Sequence, residues 1–276
     1  MKTILVPVDF SATSENAVKY AIGLAKYTGA KLLLAHAYSI PVMTSEIPQA
    51  PIISYDELEE ENNRRMESLK LEIIKKEPML TIEYIVIAGF PVEGINELAE
   101  KENPDFIVMG IKNLSKTEEI IIGSTSVNVA KKNKGAVLIV PEGAEFKIPK
   151  RIALACDYKE DFSDAVFLKA LRKFINLFGA TLHIVNVVSP GKEADSNIAI
   201  TGIKLENYLD RIPHFLHFPE GDDVIESLNT VIKDNDIDLL ITLPHKYNFF
   251  EKMFHRSNTK KIALHTQVPL LALHAK

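Results

Sequence analysis

The sequence predicts an α/β fold of two tandem doubly wound units, each built on a five-stranded parallel sheet. Two observations carry that expectation. Short β-branched apolar runs alternate with amphipathic helical patterns along the chain, which marks strands buried on both faces and joined by crossover helices. The pattern also occurs twice. Ile4-Leu5-Val6-Pro7-Val8-Asp9-Phe10 is matched by Ile152-Ala153-Leu154-Ala155-Cys156-Asp157-Tyr158, so that Asp9 and Asp157 stand 157 − 9 = 148 positions apart. Asp105-Phe106-Ile107-Val108 is matched by Asp238-Leu239-Leu240-Ile241, and Val137-Leu138-Ile139-Val140 by Leu270-Leu271-Ala272-Leu273, at an offset of 238 − 105 = 133. The second copy is therefore shorter by 148 − 133 = 15 residues between its first and fourth strands. A repeat of this length sets the boundaries: a first unit over residues 1–142, a polar linker from Glu142 to Pro149, and a second, degenerate unit over residues 150–276.

The first unit reads in order as strand Thr3–Val8, helix Ala12–Thr28, strand Lys31–Ala37 and a long connection from Ser39 to Ile53. A charged helix from Tyr55 to about Lys76 follows, then strand Thr81–Ile87, helix Val92–Glu102, strand Phe106–Met109, a loop, helix Ser124–Lys132 and strand Ala136–Val140. Ala17, Ala21, Leu24 and Ala25 form an apolar helical stripe, as do Ala165, Leu168, Leu171, Ile175 and Phe178 in the second unit. Ser11 is placed to cap the first helix, with Glu15 near its positive end. Gly29 and Gly179 stand where helices end in a left-handed residue. The connection Ser39–Ile53 holds three prolines and reads as a binding loop or a partner-contacting excursion; Val188–Ile203 reads as partly disordered.

Composition excludes several classes. The chain has 276 residues, 46% hydrophobic, with a net charge of −5. That describes a folded protein with enough length for two cores, and without the basic face of a nucleic-acid binder. Its one cysteine, Cys156, forbids an intrachain disulfide, and the position inside a strand reads as a buried inert thiol. No apolar run approaches the roughly 20 residues that span a bilayer. The N-terminal Met1-Lys2-Thr3 leads straight into a strand, without the apolar core of a signal peptide. A cytoplasmic protein is expected, with no membrane or nucleic acid among its partners.

Ligands of open parallel sheets bind beyond the carboxyl ends of strands, at the point where the winding switches. There the first unit brings Pro7, Val8 and Asp9 toward Met109 and Gly110 and the loop behind them. Gly110 permits close backbone approach or unusual dihedrals. Gly123-Ser124 opens the last helix, whose free N–H groups and dipole suit a phosphate. Ser124 and Ser126 offer hydroxyls and Lys112 a positive charge. Asp9 is suited to an adenine amino group or a ribose hydroxyl, and equally to loop amides or the helix cap.

The segment reads Gly110-x2-Asn113-x9-Gly123-Ser124-Thr125-Ser126. It resembles the Gly-x2-Gly-x9-Gly-(Ser/Thr) motif of the nucleotide-binding members of the universal stress protein family (UspA-like), here in tandem form, with Asn113 in place of one glycine. The resemblance implies two Rossmann-like domains of the adenine nucleotide alpha hydrolase type. It implies that the last strands, Val137–Val140 and Leu270–Leu273, pair within one chain, covering two edges that otherwise invite aggregation. It implies that Val8 and Asp9 lie near adenine and ribose, and that Gly110, Lys112, Asn113, Gly123, Ser124, Thr125 and Ser126 surround the phosphates of ATP, with magnesium as companion ion. Asn is the side chain that best tolerates a glycine-like φ. The second unit puts Leu243, Pro244, Lys246, Arg256 and Ser257 where the first has its loop, and the glycine cradle is gone.

Other chemistry finds little support. His183, His214, His217, His245, His255, His265 and His274 crowd the second unit, but His214 and His217 at a spacing of three on a strand point to opposite faces, and no metal site is expected. No Gly-x-Ser-x-Gly elbow, Gly-x-Gly-x-x-Gly fingerprint or Gly-x4-Gly-Lys-(Ser/Thr) loop occurs. The expected function is stress-linked regulation by adenine nucleotide binding in the first unit, without catalysis, through a protein partner or a homodimer. The alternatives are a scaffold whose pocket Asn113 has closed, or a slow nucleotide hydrolase with Asp9 positioning water.

Overall fold

The computed structural model describes residues 2–39, 54–112, 124–156, 165–188, 190, 208–209, 212–243 and 268–274. They form one sheet of ten strands flanked by helices. The first half contributes β1 (Thr3–Pro7), α1 (Ala12–Thr28), β2 (Lys31–Tyr38), α2 (Tyr55–Lys76), β3 (Ile82–Ala88), α3 (Pro91–Glu102), β4 (Phe106–Ile111), α4 (Ser124–Lys132) and β5 (Ala136–Pro141). The second contributes β6 (Arg151–Ala155), α5 (Ala165–Phe178), β7 (Thr181–Val185), β8 (His214–His217), α6 (Val224–Asp234), β9 (Leu239–Thr242) and β10 (Leu270–Leu273). The spatial order is β3-β2-β1-β4-β5-β10-β9-β6-β7-β8. Each half is thus a five-stranded parallel sheet with the doubly wound switch between its first and fourth strands.

Local chemistry explains the elements. Ser11, extended at φ −78°, accepts the Ser14 N–H and caps α1, while Gly29 closes it at φ +68°. Ser54 and Glu57 form a reciprocal capping box on α2. Only Asn62, Met66 and Ile73 of α2 are buried, so this long helix is held by a narrow stripe, and Glu57, Glu59, Glu60 and Glu61 stand in solvent. Gly179 turns the chain after α5 at φ +59°. Cys156 follows β6 directly and is buried.

The two halves join edge to edge. β10 runs antiparallel to β5, with Leu270 opposite Ile139, Leu271 opposite Leu138, Ala272 opposite Val137 and Leu273 opposite Ala136. Around this seam the core is continuous, since Phe106 meets Phe174 edge-on with ring centres 4.8 Å apart. Tyr27 stacks on Phe178 at 5.7 Å and donates its hydroxyl to the Leu177 carbonyl at 3.1 Å. Lys173 reaches Asp105 at 3.1 Å. Burial pushes Asp105 up, but the Lys2 and Thr3 amides and the Lys173 charge outweigh it and hold the carboxyl below its ordinary value. His274 donates to the Ala130 carbonyl at 2.6 Å, tying the end of β10 to α4. No helix among the described residues is long and apolar enough to cross a membrane.

On the outer strands, His183 Nδ1 and His217 Nε2 stand 3.0 Å apart, so the pair shares one N–H between two nitrogens. Burial pushes both rings below the ordinary histidine range, and the charges of His217 and Arg151 push His183 further the same way. The fold therefore favours the neutral pair. Its stabilisation is complete above the unfolded value of 6.5 and is lost as pH falls through the folded values. The thermal midpoint is expected to drop between about pH 7.5 and 5.5, and a His183→Gln, His217→Gln double variant to drop less over the same interval. Equal declines in the two proteins would assign the effect elsewhere. Among the described residues no group of three or more His, Cys, Asp or Glu gathers as a metal ion requires. His245, His255 and His265 lie outside the described residues.

Candidate functional site

The carboxyl ends of β1, β2 and β4 and the starts of α1, α3 and α4 enclose one cleft. It is lined by Pro7, Val8 and Asp9, by Thr13 and Ser14, by Ala35 and Ala37, by Pro91 and Ile95, by Met109 and Gly110, and by Thr125 and Ser126. Seven of the residues singled out from the sequence meet there: Pro7, Val8, Asp9, Met109, Gly110, Thr125 and Ser126. Lys112 follows β4 and is exposed, outside the lining. Ser124 begins α4. Asn113 and Gly123 lie outside the described residues.

Gly110 owes its place to packing rather than to an unusual dihedral. It sits within β4, and it is not among the residues at positive φ. A Cβ added to it would lie 2.1 Å from the Thr13 carbonyl oxygen, so glycine is what lets the first turn of α1 rest on β4. The second half shows the alternative. Leu243, at the position matched to Gly110, is 4% exposed and packed into the core.

The β1–α1 loop is preorganised. Asp9 Oδ1 accepts the Ser11 amide at 3.0 Å and the Ser11 hydroxyl at 2.5 Å. Partial burial pushes the Asp9 carboxyl up, but the Ser11 hydroxyl and amide and Ser14 outweigh it, so the group titrates below its ordinary value. Asp9 stands in the lining of the cleft, where its carboxylate faces the space a ligand would take. Phe10 follows at φ +61°, a costly conformation for an aromatic residue. It is pinned between the Arg65 guanidinium, 3.9 Å above its ring, and the His36 ring at 4.9 Å. Ser126 donates to the Gly110 carbonyl at 2.8 Å. That hydroxyl therefore fastens α4 to β4 and offers a ligand only its lone pairs.

The remaining wall escaped the sequence reading. Thr13 and Ser14 belong to the first turn of α1, Ala35 and Ala37 to the end of β2, Pro91 and Ile95 to the first turns of α3. The alternation Ala35-His36-Ala37 in an otherwise bulky strand was the available signal, since small residues at a strand's carboxyl end leave room for a ligand. The cleft thus has an apolar side of Ala35, Ala37, Pro91 and Ile95, and a polar side of Asp9, Thr13, Ser14, Thr125 and Ser126. Two helix N-termini, those of α1 and α4, open onto it, a setting suited to an anion.

Comparison with known proteins bears on the family and the fold. Universal stress protein MJ0577 of Methanocaldococcus jannaschii is 30% identical over 158 residues, which cover 50% of this chain and 94% of that protein. A universal stress protein of Thermus aquaticus is 32% identical over 140 residues, 50% of this chain and 98% of its own length. Among solved structures, a universal stress protein from Archaeoglobus fulgidus DSM 4304 superposes with a TM-score of 0.73 at 20% identity, covering 99% of this chain and 98% of that one, and so shares the whole tandem fold. The Universal stress protein family model matches residues 1–141, just over half of the 276, and the chain belongs to that family.

Proposed function

We propose that the protein binds an adenine nucleotide, ATP with magnesium, in the first-half cleft, and that it acts as a cytoplasmic stress-response regulator rather than a catalyst. The observation that carries this is the two-sided cleft at the switch point. Its side of small apolar residues suits a flat base, the Asp9 carboxylate suits a ribose hydroxyl or an exocyclic amine, and the N-terminus of α4 suits phosphate. The spacing Gly110-x2-Asn113-x9-Gly123-Ser124 supports the same ligand at the level of sequence. Binding rather than chemistry is favoured because Asp9 is the one ionisable side chain among the described residues lining the cleft, and its low proton affinity makes it a poor general base. In the second half, buried Leu243 fills the position of the glycine, which favours a single nucleotide per chain.

One observation favours a second reading, an interaction scaffold. The Ser126 hydroxyl is committed to the Gly110 carbonyl and cannot donate to a phosphate. A thermal shift with magnesium ATP separates the two. A ligand at 100 times its dissociation constant stabilises the folded state by about 2.7 kcal/mol. The midpoint is expected to rise with ATP in the native protein and much less in an Asp9→Ala variant of normal stability. No rise at saturating ATP would leave the scaffold.

A further inference from the structure

Phe10 holds a backbone conformation that its own side chain disfavours. Its φ of +61° lies in the left-handed region, where a bulky residue crowds its backbone. A loop under no other constraint would relax to negative φ. Phe10 is also the one residue between Asp9 and Ser11, so its φ sets how the Asp9 carboxylate meets the Ser11 amide and hydroxyl. The conformation therefore has to be held from outside, through the ring. His36 on β2 supplies one contact, edge-to-face with ring centres 4.9 Å apart. Elsewhere the ring borders a cavity of about 580 Å³ between α1 and α2, walled by Val18 and Ile22 of α1 and by Leu69 and Ile73 of α2. That side gives the ring room to leave rather than a wall to keep it. Arg65 of α2 supplies the opposing contact, its guanidinium carbon 3.9 Å from the ring centre. Arg65 is exposed and stands outside the cleft lining.

We propose that Arg65 is a positioning residue of the cleft: stacked on Phe10, its guanidinium keeps the β1–α1 loop in the strained conformation that presents Asp9, and its loss weakens binding from outside the cleft. The proposal rests on the reading of the cleft as a nucleotide site. Planarity suits arginine to this role, because a guanidinium covers a ring face where a lysine ammonium offers only a point charge. The competing account is charge alone, since a cation near the cleft attracts phosphate without touching the loop.

Calorimetric titration with magnesium ATP separates the two accounts, using the native protein, Arg65→Ala, Arg65→Lys, Phe10→Gly and the Phe10→Gly, Arg65→Ala double variant. A cation on an exposed ring is worth a factor of about two to five. Arg65→Ala should weaken ATP by that factor, and Arg65→Lys by less. Glycine holds positive φ without strain and has no ring to clamp. Arg65→Ala should therefore change nothing in the Phe10→Gly background, and the double-mutant cycle reads this directly. Equal weakening in both backgrounds would mean that Arg65 acts by its charge, and would overturn the proposal. Unchanged affinity in Arg65→Ala would overturn it too. If Phe10→Gly does not fold, Phe10→Asn takes its place, since Asn tolerates the same φ. If ATP binds none of these proteins, the nucleotide reading fails by itself and the free protein decides the role of Arg65. The backbone scalar couplings of Phe10, measured by NMR, report its φ. A positive φ in the native protein that averages with negative values in Arg65→Ala, and less so in Arg65→Lys, supports the clamp. Identical couplings in native and Arg65→Ala protein would overturn it.

Discussion

Replacing Gly110 with alanine is expected to destabilise the first half by about 3 kcal/mol or more, the upper end of what overpacking costs, and to abolish any ligand-induced stabilisation with it. The added methyl would stand 2.1 Å from the Thr13 carbonyl oxygen and 2.6 Å from the Thr13 carbonyl carbon. These are backbone atoms of a capped helix start, so no rotamer change relieves the clash; β4 or the first turn of α1 must move. Gly23 makes a useful contrast. Its added methyl would stand 2.6 Å from Phe146 Cβ, but Phe146 lies in the connection between the halves rather than inside a helix or strand, so Gly23→Ala should cost less. Urea unfolding of Gly110→Ala, alone and with Thr13→Gly, checks the cause. The second substitution removes the Thr13 side chain and leaves its carbonyl, so it should not restore stability. Recovery in the double variant would mean that side-chain crowding, and not helix-on-strand contact, explains the glycine.

The architecture was legible because parallel strands buried on both faces must be written as apolar runs, and because the chain writes them twice. β1, α1, α2 and α4 fall where periodicity and caps put them, to within a residue. The pairing of β5 with β10 was implied by the family resemblance, in which last strands pair, and it covers two edges. The position of the cleft, and Asp9, Thr125 and Ser126 on its polar side, were legible for the same reason: a switch point is set by topology, and topology by strand order; Thr13 and Ser14 were not. What stayed hidden depended on three dimensions. The apolar wall comes from residues at the ends of β2 and α3, which no local spacing joins to Asp9. Gly110 was visible as a special residue but not as a packing one, since only the approach of Thr13 separates the two. His183 was passed over in favour of His214 because sequence spacing ranks neighbours along a strand, whereas its partner His217 lies across the β7–β8 ladder. Asn62 reads as an ordinary polar position until α2 is laid over His36.

The largest rearrangement is expected from cutting the chain after the linker. A fragment of residues 1–147 keeps every element of the first half and loses the strand that covers β5. Its open edge would present the backbone of Ala136, Val137, Leu138 and Ile139, beside the buried rings of Phe106 and Tyr27's stacking face. An unpaired, aliphatic strand in the middle of a core is not tolerated in solution. The native β5–β10 ladder is antiparallel, which is the relation that a two-fold axis imposes on two copies of one strand. The fragment is therefore expected to form a symmetric dimer through β5, with a dissociation constant of about 1 µM or tighter, whereas the intact chain has that edge already occupied. Light scattering across a dilution series measures it. Because the cleft lies at β1 and β4 and not at the seam, the proposed nucleotide reading gives the fragment dimer two ligand sites and the intact chain one, and titration with ATP should then show the doubled stoichiometry per ten strands. A monomeric fragment at high concentration would mean that the first half protects its own edge. The antiparallel seam would then be a consequence of the tandem chain and not a driving force of its fold.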